Sequence, residues 1–386
     1  MIYIHIPFCR SFCTYCDFYS EVAAKCRRAE DEISQSELFE DFVKAVECEI
    51  SYRAREMSPG LNTLYIGGGT PSVLPLSAYA SMLSSLSAAG IAAPFREFTF
   101  EVNPEDVVEK GAGYVRGLLE LGVNRISMGV QSFDDGILKW MNRRHTSLQA
   151  VQAYRILESA GVDNISIDLI FGLPQLTDEL WRETMEKALS ISSRGNLPKH
   201  ISAYQLSVEE GSMLEKMISK GMCAEAPEED CHRQYEMLCS VLRQAGYEHY
   251  EISNFAMPGY QAKHNSAYWK HVPYVGLGPG AHSFLDGKRL WNADDLSAYL
   301  KAGSNGDFSE IRGSETLDQE QKKIEKIMLG LRTAAGVEED FLRDSCTGAV
   351  LAEALANGNL EALGNGMVRI PEDRFFISDN IISSII

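Results

Sequence analysis

Six times along this chain, a short run of β-branched and aromatic residues gives way to a longer stretch whose apolar residues recur every three or four positions. That alternation is the sequence sign of βα units laid side by side in a parallel sheet. The strand-like runs fall at residues 2–6, 63–67, 97–102, 125–130, 164–170 and 200–206. Between them, residues 36–56 carry Phe39, Phe42, Val43, Val46 and Ile50 on one helical stripe, and further helices are predicted over 76–89, 114–121, 148–160, 179–191 and 228–245. Gly161 and Gly246 close the last turns of two of them. The pattern fits an α/β chain, a partial (β/α)6 barrel of the TIM type, better than a closed eight-stranded one.

In such a barrel the chemistry gathers at the C-terminal ends of the strands. Here the first strand runs into Cys9-Arg10-Ser11-Phe12-Cys13-Thr14-Tyr15-Cys16, and the second into Gly67-Gly68-Gly69-Thr70-Pro71. The third leads to Glu101-Val102-Asn103-Pro104, the fourth to Gly129-Val130-Gln131-Ser132, and the fifth carries Asp168 and ends near Gly172. All five would face one mouth.

Three cysteines within eight residues allow a loop to turn three thiolates toward one place. Three thiolates on an iron–sulfur cube satisfy three irons and leave the fourth open for a ligand. Zinc would ask for a fourth Cys or His at short spacing, yet the next cysteine is Cys26, in a polar run (21–35) that reads as a surface excursion with an ordinary thiol. Nine cysteines in 386 residues are too sparse, and odd in number, for a disulfide framework. The other rim residues each admit two readings. The glycine run serves either a ligand, through its amides, or a tight turn. Glu101 bonds ribose hydroxyls or an amino group, or it caps a turn. Gln131 offers both a donor and an acceptor, and Arg143 is a carboxylate fork or a solvated charge. Asp168 sits between Ile167 and Leu169 in a strand that reads as buried, and there it requires a partner.

A net charge of −18 argues against nucleic acid, which needs a basic face. No apolar run approaches the ~18 residues of a membrane span, so any membrane contact is expected to be peripheral. Free cysteines without an export signal point to a reducing cytoplasm.

Taken together, the motifs resemble the radical S-adenosylmethionine (SAM) superfamily, in the group that holds oxygen-independent coproporphyrinogen III oxidases and haem chaperones of the HemW type. The likeness runs from Tyr3 to about Phe284 with clear motifs, and more loosely beyond. It implies a radical SAM barrel in which Cys9, Cys13 and Cys16 ligate a 4Fe–4S cluster. In that family the open iron is chelated by SAM, and one electron releases a 5′-deoxyadenosyl radical. The resemblance further implies SAM contacts from Tyr3, Tyr15, Gly68, Gly69, Thr70, Glu101, Gln131, Arg143 and Asp168. Two departures from the oxidases point to the chaperones: Phe18 stands where the oxidases carry a further cysteine, and the chain starts almost on its first strand where they have an extension. His264-Asn265-Ser266-Ala267-Tyr268-Trp269 resembles the His-Asn-x-x-Tyr-Trp motif of HemW proteins. An imidazole can ligate haem iron beside stacking aromatics, so His264 is the candidate haem contact, with His271 and His282 as alternatives; a core histidine is the plainer reading.

The function expected is therefore a haem chaperone that takes an electron from a flavodoxin-type donor and delivers haem to haemoproteins, with oligomeric state open. The second reading is a radical SAM decarboxylase of porphyrin biosynthesis. A third is an iron–sulfur protein that never cleaves SAM.

For domains, residues 1–220 read as the barrel, 221–305 as an extension carrying the His264 motif, and 306–386 as a small domain. Within the extension, the glycine-rich 276–282 stretch reads as a turn near the mouth. Helices over 319–332, 337–345 and 350–357, then a two-strand ribbon over 368–378, make the last part winged-helix-like. Neither helices nor wing are basic, which favours a packing or substrate-covering role over DNA binding.

Overall fold

The computed structural model describes residues 1–22, 34–57 and 62–386; the expectation for Cys26 lies outside them. Six strands follow in chain order: β1 (Ile2–Ile6), β2 (Thr63–Gly68), β3 (Glu97–Val102), β4 (Arg125–Gln131), β5 (Ile165–Phe171) and β6 (His200–Gln205). They lie side by side in that order, all parallel, as the βα alternation requires. Three more strands extend the sheet. β7 (Glu248–Glu251) and β8 (Asn254–Ala256) form an antiparallel pair beyond β6, and β9 (Val275–Leu277) joins β1 in parallel on the other edge. The glycine-rich stretch from Gly276 is thus in part an edge strand rather than the turn expected, since Val275–Leu277 pairs with Ile2–Ile4; glycine is required at 276 because a Cβ there would meet the His282 carbonyl at 2.0 Å. Of the range 221–305, β7, β8 and β9 join the barrel sheet, whereas His282–Leu285 and Lys288–Asn292 pair in a separate sheet with Arg312–Thr316.

Strand composition explains which face is which. Ile2, Ile4, Ile6, Leu64, Ile66, Phe98, Phe100, Ile126, Met128, Ile165, Ile167 and Ile201 alternate along the strands and are buried. Their neighbours Tyr65, Glu101, Arg125, Ser127, Asp168 and Ser202 point to the opposite face and line a cavity. Strands of a parallel sheet usually read as continuous apolar runs because both faces are dry. The alternation here marks a polar interior.

The flanking helices form where local signals place them. The helix Gln35–Tyr52 opens on a capping box, with Ser34 and Glu37 bonding each other's backbone amides. Ser147–Ala160 opens on a second one, Thr146 with Gln149, and closes on Gly161 at φ 102°. Pro104–Glu120 begins ten residues earlier than expected: Pro104 fits the first helical position, and Gly111 at φ 67° kinks a stretch whose glycines hide its periodicity. Trp181, buried, donates from Nε1 to the Gln234 carbonyl at 2.9 Å and ties Asp178–Leu189 to Glu228–Gln244.

A buried ion pair locks the first helix to the edge strand. Arg53 Nη1 donates to Glu49 Oε1 (3.2 Å) and to the Gly276 carbonyl (2.5 Å), while Nη2 reaches Ser283 Oγ at 3.0 Å. Glu49 also accepts from Tyr299 (2.7 Å), Asn292 (2.8 Å) and the Gly278 amide (2.9 Å).

Near the C-terminus, helices Gln319–Leu331, Glu339–Ser345 and Gly348–Ala356 accompany a three-stranded sheet in which Met367–Arg369 lies between Val337–Glu338 and Glu361–Ala362. The ribbon expected around Pro371 is absent. The chain turns helical there instead, over Glu372–Ile377 and Ser378–Ile385, because Phe375, Ile381, Ile382 and Ile385 at helical spacing bury together.

Candidate functional site

One cavity of about 460 Å³ opens at the C-terminal ends of β1–β6. Cys9, Cys13, Cys16, Tyr15, Gly68, Gly69, Thr70, Glu101, Gln131, Arg143 and Asp168 all line it. Of the residues predicted from sequence, Tyr3 and His264 do not.

The cysteine loop is fastened along its whole length. Glu21 N–H donates to the Pro7 carbonyl (2.6 Å), and Thr14 N–H to the Met141 carbonyl (3.1 Å). Leu214 N–H reaches the Thr14 carbonyl (2.7 Å), and Asn142 Nδ2 the Phe12 carbonyl (2.6 Å). Its base is clamped by the glycine run, though by a different device from the one expected. The amides of Gly69 and Thr70 donate to the carbonyls of Ile6 (2.8 Å) and Phe8 (2.7 Å), and the Gly68 amide donates to Glu101 (3.1 Å). These amides are spent within the protein, so the glycines serve close approach rather than anion binding. A Cβ on Gly69 would lie 2.7 Å from the Phe8 carbonyl oxygen, a contact only glycine avoids.

Among the described residues, no three His, Cys, Asp or Glu side chains converge tightly enough for one metal ion. The three sulfurs are half-buried and near enough to feel one another's charge. A cube, which takes each cysteine on a different iron, does not ask them to meet at one point. Arg143 Nη1 lies 3.4 Å from Cys13 Sγ, and Thr70 Oγ1 lies 3.6 Å from Cys9 Sγ, so the sulfurs already have donors that would stabilise thiolates. Burial pushes the Cys16 thiol up to about 12 and raises Cys9 as well. Burial thus favours the thiol forms of Cys9 and Cys16, and cluster assembly would release their protons.

The remaining side chains are positioned by neighbouring strands. Arg143, half-buried, donates from Nη2 to the Gly129 carbonyl (2.6 Å) and Asn103 Oδ1 (2.8 Å), while its Nε has no partner. Burial opposes its charge, but Tyr15, Cys13 and Glu105 outweigh that and keep it cationic. Gln131 sits at φ 66°, where the ladder between β4 and β5 shifts register. A non-glycine residue held there costs on the order of 1–3 kcal/mol, a strain typical of residues that aim a side chain at a ligand. Asp168 finds the partners its setting demanded: Ser127 Oγ at 3.0 and 3.2 Å and Ser166 Oγ at 3.3 Å. Glu101 accepts from Tyr65 (2.5 Å). Burial, with Asp168 nearby, pushes it up to about 7 against the pull of that bond.

Two predicted residues lie elsewhere. Tyr3 bonds His5 Nδ1 at 2.9 Å, behind the cavity wall. His264 is fully buried, its Nδ1 on Thr63 Oγ1 (3.0 Å) and its Nε2 on Tyr268 (2.9 Å), while Glu97 holds its backbone amide. Both ring nitrogens are taken, so in this conformation it offers a haem iron no lone pair. Its alternatives are no better placed at the cavity, since neither His271 nor His282 lines it. Sequence reasoning missed Tyr65, Arg125, Ser127 and Ser202 as cavity residues. The signal was available: polar residues at every second position of four consecutive strands.

A parallel βα sheet with a three-cysteine loop leaving its first strand defines a radical SAM protein, and residues 3–188 match the model of the Radical SAM superfamily. Among solved structures, coproporphyrinogen III oxidase (HemN) from Escherichia coli superposes with a TM-score of 0.79 at 19% identity, covering 99% of this chain and 89% of that one. The sequence relatives are more specific. Heme chaperone HemW of Synechocystis sp. is 37% identical over 340 residues, 87% of this chain and 78% of that protein. Heme chaperone HemW of Lactococcus lactis is 36% identical over 336 residues, 87% and 82%. The chain belongs to the HemW family of radical SAM proteins. Members of that superfamily carry a 4Fe–4S cluster and SAM.

Proposed function

We propose that this protein is a haem chaperone: it binds haem and passes it to haemoproteins, drawing on a radical SAM site whose electron comes from a flavodoxin-type donor in the cytoplasm. The observation that carries this reading is the HemW relationship over 78% of the relative's length, joined to an intact cysteine loop at the mouth of a preformed cavity. Cys9, Cys13 and Cys16 would hold the cluster. Tyr15, Thr70, Glu101, Gln131, Arg143 and Asp168 would hold SAM, and Gly68 and Gly69 would let it approach. When loaded, such a site supplies reductive cleavage of the sulfonium. Around it, Arg143 keeps a fixed positive charge beside Cys13. Phe12 and Phe18, 46% and 62% exposed, stand at the mouth beside the loop and offer apolar faces for a flat macrocycle. Among the described residues no helix is long and apolar enough to cross a membrane.

Anaerobically reconstituted protein is expected to bind haemin stoichiometrically by absorbance titration and to form no vinyl product from coproporphyrinogen. Vinyl product at enzymatic rates would replace the chaperone reading with the oxidase one. Since both nitrogens of His264 are engaged, His264→Ala is expected to lower thermal stability yet leave the haemin stoichiometry unchanged. Loss of haemin binding from a folded His264→Ala protein would instead show that the ring swings out to ligate iron.

The ionisation of Glu101 yields a second expectation. Its pKa of about 7 lies above the usual carboxylate range, so its uncharged form favours the folded, empty protein, and that stabilisation fades as pH rises through about 7. A cationic sulfonium nucleotide prefers the ionised form. SAM affinity should therefore climb from about pH 6 to about pH 8 and then level, with the slope abolished in Glu101→Gln. A wild-type affinity flat across that interval would show that Glu101 is not beside the ligand.

A further inference from the structure

The inner end of the cavity holds a charge that the SAM reading leaves unused. Arg125, at the start of β4, is 1% exposed and lines the cavity floor. Its Nε has no hydrogen-bond partner, and Nη2 makes only a 3.3 Å contact to His200 Nδ1. Among the described residues no carboxylate lies within ion-pair distance of it. A guanidinium has five donors, and burying one without a counter-ion is costly. By contrast, Arg53, buried to the same degree, is matched by Glu49 and Glu56.

The nearest acids, Asp168 and Glu101, feel its charge, which favours their ionised forms, but neither lies within ion-pair distance of it. Asp168 is held by Ser127 and Ser166, and Glu101 by Tyr65 and the Gly68 amide. Both are also the side chains assigned to SAM, a ligand that brings its own cationic sulfonium. With SAM in place its sulfonium would compete with Arg125 for those two carboxylates. Ser127 and Ser202, which share the cavity wall with Arg125, give their hydroxyl protons to Asp168, so the guanidinium holds the unspent donors here. A guanidinium fork with free donors is the group that recognises a planar carboxylate.

We propose that Arg125 forms a carboxylate-binding subsite at the inner end of the cavity, and that the molecule acted on beside SAM enters carboxylate first. This rests on the assignment of the cavity to SAM. The carboxylate belongs either to a small free acid or to the propionate arm of a tetrapyrrole.

The test uses cluster-loaded protein with SAM, titrated calorimetrically with propionate and with propionamide, its neutral counterpart. Haemin and its dimethyl ester form a second pair. Wild-type protein is expected to prefer acid over neutral partner by about tenfold or more, with the preference lost in Arg125→Gln and partly kept in Arg125→Lys. Preference within the haemin pair assigns the arm to a tetrapyrrole; preference for propionate alone assigns it to a small acid. Equal binding within both pairs by wild-type protein overturns the subsite, and so does an unchanged preference in Arg125→Gln. Cluster absorbance and SAM affinity report whether the variants are folded, and the wild-type comparison stands without them. Should SAM itself fail to bind, the cavity assignment falls, whereas the same pairs titrated without SAM still read Arg125.

Discussion

Cys13→Ala is expected to abolish the iron–sulfur absorbance of the reconstituted protein and, with it, measurable SAM binding, while the chain stays folded. Two thiolates do not hold a cube with one open corner, so the effect on loading should be close to complete rather than graded. The fold should survive because backbone bonds, not the sulfur, fasten the loop: Thr14 is tied to Met141 and Leu214, and Phe12 to Asn142. Removing a half-buried thiol costs on the order of 1 kcal/mol or less. The decisive comparison is a cluster spectrum beside a thermal melt. A variant that keeps its cluster would show that Cys13 is no ligand. One that loads zinc as readily as the native chain loads iron would remove the radical SAM site altogether.

The largest loss of stability should come from a residue far from the chemistry. Glu49→Ala leaves Arg53 buried without the carboxylate at 3.2 Å, and strips Tyr299, Asn292 and the Gly278 amide of their acceptor. Breaking a buried ion pair from one side costs about 3–5 kcal/mol, a large part of a domain's margin. Glu56, which also pairs with Arg53 at 2.8 Å, restrains the loss but cannot reach the other three donors. Denaturant unfolding would measure the loss through its midpoint, and Glu49→Gln should retain part of the bonding and lose less. A change below about 1 kcal/mol would mean that water takes over the vacated bonds. The edge strand β9 depends on this network, because Arg53 grips the Gly276 carbonyl and Glu49 the Gly278 amide.

Much of the cavity was legible before any coordinates. The cysteine loop, Glu101, Gln131, Arg143 and Asp168 sit at strand ends, and strand ends converge in every parallel βα sheet. Where two readings stood open, the deciding contacts share a feature. The glycine run admitted a ligand or a tight turn, and Ile6 and Phe8 take two of its amides. His264 admitted a haem contact or a core position, and its ring meets Thr63, 201 residues away. Gly276 was read as a turn because its pairing partner on β1 stands at Tyr3. In each case the partner is close in space and remote in sequence.

The sequence alone determined the class of fold, the place of the three cysteines and the strand-end residues of the cavity, since periodicity along a strand or helix is a local property written in neighbouring residues. Tertiary structure alone decided which of those polar groups are spent on one another and which remain free. Hydrogen bonds saturate, and whether a donor is already matched depends on strand register across the whole sheet. That is why His264 is closed off in the core, while Arg125, in no motif, faces the cavity with a donor to spare.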